Sequence, residues 1–333
     1  MPTADQFVVA IDAGGTHTRV GCFALDGTLL GRSDGPGGGP HHNNRAADHV
    51  SATIADALAA GDLTADNAAA MAAGIAGYEL GQANEWATTF FDDSPLRCPR
   101  QLVNDAVIAH RGALAGGAGI IVVAGTGSMI MAITEDGRAI ESGRFQHYAG
   151  GARHLVYPVI HRILTGNTSA EDEQLIKEVL AWWAVDEPDA LRDALYELGD
   201  QDYNVVKRRY GGLAPTITAA ADQSPLADAA LRALTDKTAL GVRLLAPLIK
   251  TAPVPVALSG ALAATPEFAR RFSEQLSDST TTRTDGATPP RVEVVRPALE
   301  PLGGAALMAL ESVGVVADPA VLKRIAQPAP RSR

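Results

Sequence analysis

The pattern of apolar runs and short polar turns predicts that the chain begins with three antiparallel strands. Residues 7–11 (FVVAI) form a short apolar run typical of a buried strand. A glycine-containing turn at residues 12–18 follows, and apolar character resumes at residues 19–25 (RVGCFAL). Asp26-Gly27 is a hairpin signal, and residues 28–33 supply the third strand. Because no helix separates the first two strands, the chain does not begin like a dinucleotide-binding βαβ unit.

A similar strand–turn–strand pattern recurs about 110 residues later, which predicts two domains of similar topology. Residues 119–124 and 128–134 are predicted strands joined by a glycine turn, and Asp136-Gly137 signals a hairpin before a third strand at residues 138–142. The other predicted strands cover residues 71–76, 101–104, 254–258 and 292–295; the predicted helices cover residues 46–60, 81–91, 105–115, 266–276, 301–311 and 319–326, with a largely helical region at 155–252 and a polar loop at 278–290.

Composition narrows the class of protein. A length of 333 residues suits two domains, at roughly 150 residues each. The net charge of −10 disfavours nucleic-acid binding, and two cysteines cannot form a disulfide framework. No basic segment precedes the first apolar run, so we expect a cytoplasmic protein without a secretion signal. The uncharged stretch at residues 112–134 is long enough to span a membrane, but its glycines favour strands and a turn, so we expect no membrane association.

Three glycine turns, each following an apolar strand, are candidate phosphate-binding sites. They are residues 12–16 (DAGGT), 125–128 (GTGS) and 259–261 (SGA). Glycine lets backbone N–H groups approach an anion closely, and Thr and Ser hydroxyls add donors. A carboxylate beside such a turn, as at Asp12, can hold Mg²⁺ through water. The chain has no G-x-x-x-x-G-K-[ST] motif and is therefore not a P-loop NTPase.

These segments resemble motifs of the actin/Hsp70/sugar-kinase superfamily, and more narrowly of the N-acetylglucosamine kinases and BadF/BadG-type ATPases. IDAGGTHTRV is similar to the first phosphate motif, VAGTGSM to the second, LSGALA to the adenosine motif and LGGAALMAL to a late helix. The resemblance implies an α/β fold of two RNase-H-like (actin-like ATPase) domains with a nucleotide cleft between them. We expect domains at residues 1–115, joined by a C-terminal helix at 317–330, and at residues 116–316.

The resemblance also implies ATP and Mg²⁺ as cofactors and a role for each motif residue. Asp105, in Asn104-Asp105-Ala106, looks like the catalytic base that accepts a proton from a sugar hydroxyl, although an Asp before a helix is often an N-cap. Asp12 is expected to hold Mg²⁺ through water. Gly260 is expected near the adenosine. The expected phosphate-binding residues are Gly14, Gly15, Thr16, Thr18, Gly125, Thr126, Gly127 and Ser128.

Two departures from the kinase pattern affect the acceptor. Pro40 replaces the first Asn of an N-x-H-N stretch, whereas His42 and Asn43 fit it. Residues 145–154 (FQHYAGGARH) align with the kinase pattern W-G-H-x-x-G-D-E-G-S, whose Asp binds sugar hydroxyls, so Gly151 and Ala152 replace the acidic pair. Arg153 and His154 introduce new polar groups, which either lie on the surface or recognise an anionic sugar. The expected substrate residues are His42, Asn43, Asn104, Asp105, Gly150, Gly151, Arg153 and His154.

Several functions follow from this resemblance. The leading one is an ATP-dependent kinase of an amino sugar or related carbohydrate. A second is a BadF-type ATPase that activates a reductase partner, but neither Cys22 nor Cys98 stands where such proteins hold an iron–sulfur cluster. A third is a sugar-responsive regulator, but such regulators carry an N-terminal DNA-binding segment, and we expect no room for one before the strand that begins by residue 7. A fourth is a kinase of altered or lost specificity. Trp182-Trp183 belongs to the core or marks the face of an expected homodimer.

Overall fold

The computed structural model describes residues 6–277 and 289–327. Its internal contacts divide the chain into two units. Unit 1 comprises the described parts of Met1–Gly119 and Arg296–Arg333, and unit 2 comprises those of Ile120–Val295. The predicted polar loop at residues 278–290 lies mostly outside the described residues.

Unit 1 contains a five-stranded mixed sheet with the order β3-β2-β1-β4-β5. The central strand β1 pairs antiparallel with β2 and parallel with β4, and every residue of β1 is buried. The strands are β1 (Phe7–Ala13), β2 (His17–Ala24), β3 (Leu29–Pro36), β4 (Ala68–Ile75) and β5 (Arg100–Asn104); the helices are α1 (Ala46–Ala60), α2 (Asp105–Ala113), α10 (Pro301–Ser312) and α11 (Pro319–Ile325).

Unit 2 contains a sheet with the corresponding strand order, β8-β7-β6-β9-β10. Unit 2 also has an extensive helical layer. Its core includes buried side chains from β6, β7, β9, α3 to α5 and α7 to α9, and partly buried side chains of α6 pack against it. The strands are β6 (Gly119–Ala124), β7 (Ser128–Ile133), β8 (Ala139–Glu141), β9 (Val254–Ser259) and β10 (Val292–Val295); the helices are α3 (Ala152–Leu164), α4 (Glu173–Trp182), α5 (Pro188–Gly199), α6 (Tyr203–Gly211), α7 (Ala214–Ala220), α8 (Pro225–Leu245) and α9 (Pro266–Ser277).

The α/β fold with two similar sheets is therefore as predicted, and the hairpin signals at Asp26-Gly27 and Asp136-Gly137 fall at observed hairpins. The uncharged stretch at residues 112–134 contains β6, a turn and β7. Across the described part of the chain, no helix is both long and apolar enough to cross a membrane.

The predicted position of the late helix is wrong: α10 belongs to unit 1 and not to the second domain. It packs on α2 with backbone against backbone, because glycines face one another at the crossing. A Cβ on Gly304 would overlap the carbonyl oxygen of Ile108, and one on Gly112 would lie 2.6 Å from the carbonyl oxygen of Glu300. The boundary predicted at residues 115 and 316 therefore differs from the observed division.

The helix predicted at residues 81–91 is also wrong. The structure contains only a short 3₁₀ turn there, at Glu85–Thr88. The aromatic side chains pack locally instead, with Trp86 edge-on to Tyr78 (centroids 6.2 Å apart) and to Phe90 (5.2 Å). The Asn84 side chain accepts from the backbone N–H of Glu79 at 2.9 Å, which favours a turn over a helix.

Candidate functional site

The first glycine turn connects β1 to β2, and backbone hydrogen bonds fix its conformation. The Gly14 N–H donates to the His17 carbonyl at 2.9 Å, and the Gly14 carbonyl accepts from the N–H groups of Gly38 and Gly39 at 3.0 and 3.1 Å. Thr16 at the tip is exposed. The turn therefore has a fixed backbone and an accessible tip, as a phosphate-binding turn requires.

Thr18 differs from the other residues predicted for this turn. Its side chain is fully buried, and its hydroxyl donates to the Pro36 carbonyl at 2.7 Å. That hydrogen bond joins β2 to the end of β3, so the Thr18 hydroxyl stabilises the turn from within the sheet.

The predicted acceptor loop lies directly against the first glycine turn. The N–H groups of His42 and Asn43 both donate to the Gly39 carbonyl, at 3.0 and 3.1 Å. The Asn43 side-chain amide donates to the Gly15 carbonyl at 3.1 Å, and a Cβ on Gly15 would lie 2.9 Å from the His42 ring. The sequence therefore identified two segments that the fold brings into contact, although Pro40 departs from the kinase pattern.

The Asn104-Asp105 pair lies where β5 ends and α2 begins. Asn104 is the N-cap: its side-chain oxygen accepts from the Ala106 N–H at 2.9 Å, and its amide donates to the Tyr78 carbonyl at 2.7 Å. Asp105 is the first helical residue, so the alternative that Asp105 itself caps the helix is wrong. Because Asn104 provides the cap, the Asp105 carboxyl is not required for that role. Asp105 is also partly exposed.

The two candidate carboxylates of unit 1 influence one another electrostatically. Burial, and secondarily the negative charge of Asp12, raise the pKa of Asp105 to about 6. Burial also raises the pKa of Asp12, although the guanidinium of Arg19 opposes the rise from 2.9 Å. A carboxylate with a pKa near neutrality is suited to accept a proton during a reaction at physiological pH.

Two charged neighbours of Asp12 were missed from the sequence. Arg19 stands directly opposite Asp12 in the antiparallel β1–β2 pair, so the register of the hairpin could have identified it. Glu300, immediately before α10, raises the pKa of Asp12 through its negative charge. No local signal identifies Glu300, because it is 288 positions after Asp12 in the chain.

The donor set around Asp12 fits a hydrated magnesium ion. Carboxylate oxygens are the ligands that Mg²⁺ prefers, and it keeps several waters in most protein sites. The charges of Asp105 and Glu300 near Asp12 are the excess negative charge that a divalent cation would offset. Within residues 6–277 and 289–327, no three His, Cys, Asp or Glu side chains are placed to hold a metal ion directly.

In unit 2, the second glycine turn and the predicted adenosine motif are joined by hydrogen bonds. The Gly125 N–H donates to the Gly127 carbonyl at 3.0 Å, which closes the turn and leaves Thr126 and Gly127 exposed and Ser128 partly exposed. The carbonyl of Ala124 accepts from the N–H groups of Leu262 and Ala263. Gly260 has φ +95 there, and a Cβ on it would lie 2.6 Å from the Ala124 oxygen, so only glycine fits.

The segment that departs from the kinase pattern packs on this same turn. The Ala152 N–H donates to the Gly125 carbonyl at 2.8 Å. A Cβ on Gly151 would lie 2.5 Å from the Gly127 oxygen and 2.8 Å from the Gly125 oxygen. Gly150 precedes it and is likewise buried. The fold therefore leaves no space at position 151 for the acidic side chain of the kinase pattern.

Arg153 and His154 have different surroundings. The His154 Nδ1 accepts from the Gly151 N–H at 3.1 Å, and burial followed by the charge of Arg153 lowers the pKa of His154. Arg153 donates to the hydroxyl of Tyr203 on α6. Tyr203 was missed because it is 50 residues away along the chain. Arg153 is thus the charged member of the pair.

A sequence model of the BadF/BadG/BcrA/BcrD ATPase family matches residues 9–309. The chain belongs to this ATPase family. The match extends over both sheets and includes every candidate residue named above. A search of curated protein sequences finds no match.

Solved structures show the same fold in sugar-kinase-like proteins. A Chromobacterium violaceum protein provisionally named an N-acetylglucosamine kinase is 25% identical, with a TM-score of 0.70 over 92% of this chain and all of that one. A Porphyromonas gingivalis protein with the same provisional name is 18% identical (TM-score 0.63; 93% and 100% covered). A ROK family glucokinase from Streptomyces griseus, in complex with glucose and AMPPNP, is 20% identical (TM-score 0.55; 92% and 99% covered). At such low identities, the last two structures are evidence only for the fold of this chain.

We predict that the Asp105 carboxyl titrates with a midpoint near pH 6, because burial and Asp12 disfavour its ionised form. Carbon-13 NMR of labelled aspartate measures this midpoint. Asp12→Asn should lower it, since the neighbouring negative charge is removed, whereas Asp56→Asn on the exposed face of α1 should leave it unchanged. An Asp105 midpoint close to the unperturbed value of about 3.9 would contradict the electrostatic coupling.

Gly151→Ala is expected to lower the thermal unfolding midpoint by several degrees, because the new methyl group meets backbone oxygens that cannot rotate away. The matched control is Gly199→Ala at the end of α5, where a Cβ meets nothing within 4 Å. That control should keep or slightly raise the midpoint. Equal midpoints for the two variants would show that the Gly151 contact is not restrictive.

Proposed function

We propose that the protein is an ATP-dependent phosphotransferase that phosphorylates a hydroxyl group of an amino sugar or related carbohydrate. The observation that carries the proposal is Asp105: a partly exposed carboxyl at the β5–α2 junction, with a pKa of about 6, in a chain of an ATPase family. The 25% identity to an N-acetylglucosamine kinase candidate along its entire length supports a carbohydrate acceptor.

In the proposed reaction, the oxygen of the acceptor hydroxyl attacks the γ-phosphorus of ATP. The new P–O bond forms as the bond between the γ-phosphorus and the β–γ bridging oxygen breaks, and ADP leaves. Asp105 accepts the hydroxyl proton, which requires the carboxyl to be ionised at the start of the reaction. The products are ADP and a sugar phosphate ester.

The other candidate residues bind and orient the reactants. The N–H groups of Gly14 and Gly125 close their own turns, so backbone N–H groups at residues 15–16 and 126–128 bind phosphate oxygens. Gly260 lies against the adenosine. Asp12 holds hydrated Mg²⁺, and Arg19 orients the Asp12 carboxylate. When bound, the ion neutralises negative charge on the phosphates. His42, Asn43 and Asn104 orient the acceptor toward Asp105; Gly150 and Gly151 shape the backbone beside the second glycine turn.

The cysteines favour a kinase over a BadF-type ATPase that activates a reductase. Cys22 is fully buried within β2, and burial raises the pKa of its thiol to about 12. Burial also raises the pKa of Cys98. A cluster ligand must be a thiolate, and both sites disfavour that form.

Asp105→Asn is the variant that tests the proposed base. It should reduce kcat for phosphoryl transfer by about a hundredfold or more while leaving the affinity for ATP unchanged, because the amide fills the same space but accepts no proton. In the wild type, kcat/KM should fall about tenfold per pH unit below pH 6, since the carboxyl then becomes protonated.

The control is Asp56→Asn, which changes an exposed carboxylate away from the site and should retain wild-type kinetics. A kcat of Asp105→Asn within tenfold of the wild-type value would exclude Asp105 as the base. Loss of ATP binding in this variant would instead assign Asp105 to the nucleotide.

A further inference from the structure

The N-terminal end of α3 carries a positively charged side chain that is held rigidly but has no counter-charge. The guanidinium carbon of Arg153 lies 5.1 Å from the centroid of the Tyr203 ring, and the guanidinium donates to the Tyr203 hydroxyl. The Arg153 Nε is buried and has no hydrogen-bond partner. The ring and the hydroxyl of Tyr203 thus hold the guanidinium in place, and its remaining donors can bind a planar or tetrahedral anion.

A second cation lies beside Arg153. Lys207 follows Tyr203 by one helical turn on α6, so the two side chains share a face of that helix. Burial, and then the charge of Arg153, lower the pKa of Lys207. No carboxylate among the described residues forms an ion pair with either cation. Two partly buried cations therefore lie near one another without a paired carboxylate, and the Tyr203 hydroxyl offsets only part of the charge of Arg153.

Uncompensated cations are costly to bury, so their retention favours a ligand that supplies negative charge. A purely structural link between α3 and α6 through Arg153 and Tyr203 would not need Lys207 in its present place. Exposed tyrosine rings border the cations: Tyr148 is 56% exposed and Tyr203 is 60% exposed. Such rings provide apolar faces for the body of a small ligand whose charged group binds the cations.

The position of this cluster connects it with the second glycine turn. Arg153 directly follows Ala152, whose N–H donates to the Gly125 carbonyl, and Gly151 touches the Gly127 carbonyl. Arg153 is thus the next residue after one that is hydrogen-bonded to a turn that we propose binds phosphate of ATP. An acidic residue at position 151 or 152 would compete with a ligand anion for these cations, and this chain has Gly and Ala there.

We propose that Arg153 and Lys207 bind an anionic group on the acceptor, a phosphate or a carboxylate, so that the substrate is a sugar phosphate or a sugar acid. This inference rests on the proposed function, because it assigns the substrate class of the same site. His154 is not part of the anion site: its Nδ1 is hydrogen-bonded to the Gly151 N–H, and it positions the backbone of the loop.

A kinetic panel with saturating ATP tests the substrate class. The neutral or cationic acceptors are N-acetylglucosamine and glucosamine, and the anionic acceptors are glucosamine 6-phosphate and glucosaminic acid. At least one anionic acceptor should have a kcat/KM about tenfold or more above those of the others. A preference for the phosphate or for the carboxylate identifies which anion the site takes. A better kcat/KM for N-acetylglucosamine or glucosamine would overturn the inference while leaving the proposed kinase function intact.

Variants separate anion binding from a structural role. Arg153→Met and Lys207→Met should each raise KM for the anionic acceptor about tenfold or more, and should raise KM for the neutral acceptor much less. Arg153→Lys should restore part of the loss, because it keeps the charge without the planar guanidinium. The matched control is Arg162→Met near the other end of α3, which should change none of these constants. Equal losses on neutral and anionic acceptors in Arg153→Met would show a structural link only.

Equilibrium binding without ATP keeps the inference testable even if no acceptor is phosphorylated. Isothermal titration of glucosamine 6-phosphate and glucosaminic acid into the wild-type protein should give binding that Arg153→Met weakens about tenfold or more. Binding without phosphorylation of any acceptor would contradict the proposed function but support the anion site. Absence of binding by both anions would overturn the anion site.

Discussion

Close approach of one backbone to another is the constraint on which both units depend, and glycine alone permits it. In unit 1, Gly304 rests on the carbonyl of Ile108, which fixes α10 on the helix that begins with Asp105. In unit 2, Gly151 rests on the carbonyl of Gly127, which fixes the start of α3 on the second glycine turn. The high glycine content, 33 residues of 333, is thus partly explained by contacts that place the candidate residues.

The electrostatics of unit 1 follow from carboxylates that lie near one another, of which only Asp12 has a paired cation. Asp12 is paired with Arg19, while Asp105 is left without a cation and has its pKa raised to about 6. In the proposed reaction, this difference in environment makes one acid the ion-binding group and the other the proton acceptor. Unit 2 shows the opposite arrangement, since Arg153 and Lys207 lie together without an acid. Each imbalance of charge points to a ligand that would offset it.

Local signals in the sequence predicted the strands, the hairpins and the three glycine turns, because each is determined by neighbouring residues. The Asp12–Arg19 pair could also have been predicted, since the turn sets the register of β1 and β2. Contacts between distant segments could not: α10 joins unit 1 through glycine contacts with α2, and Tyr203 and Lys207 reach Arg153 from another helix. The helix predicted at residues 81–91 was wrong because aromatic packing around Trp86 overrides local helical spacing.

The most direct measurement of the central claim is phosphorus-31 NMR of the wild-type protein with Mg-ATP, in the presence and absence of a panel of amino sugars, sugar acids and sugar phosphates. The account predicts that ADP forms rapidly only when an acceptor is present and that a new phosphate ester signal grows with it in equal amount. ADP and inorganic phosphate appearing at the same rate with or without an acceptor would contradict the account, since the protein would then be an ATPase and not a carbohydrate kinase.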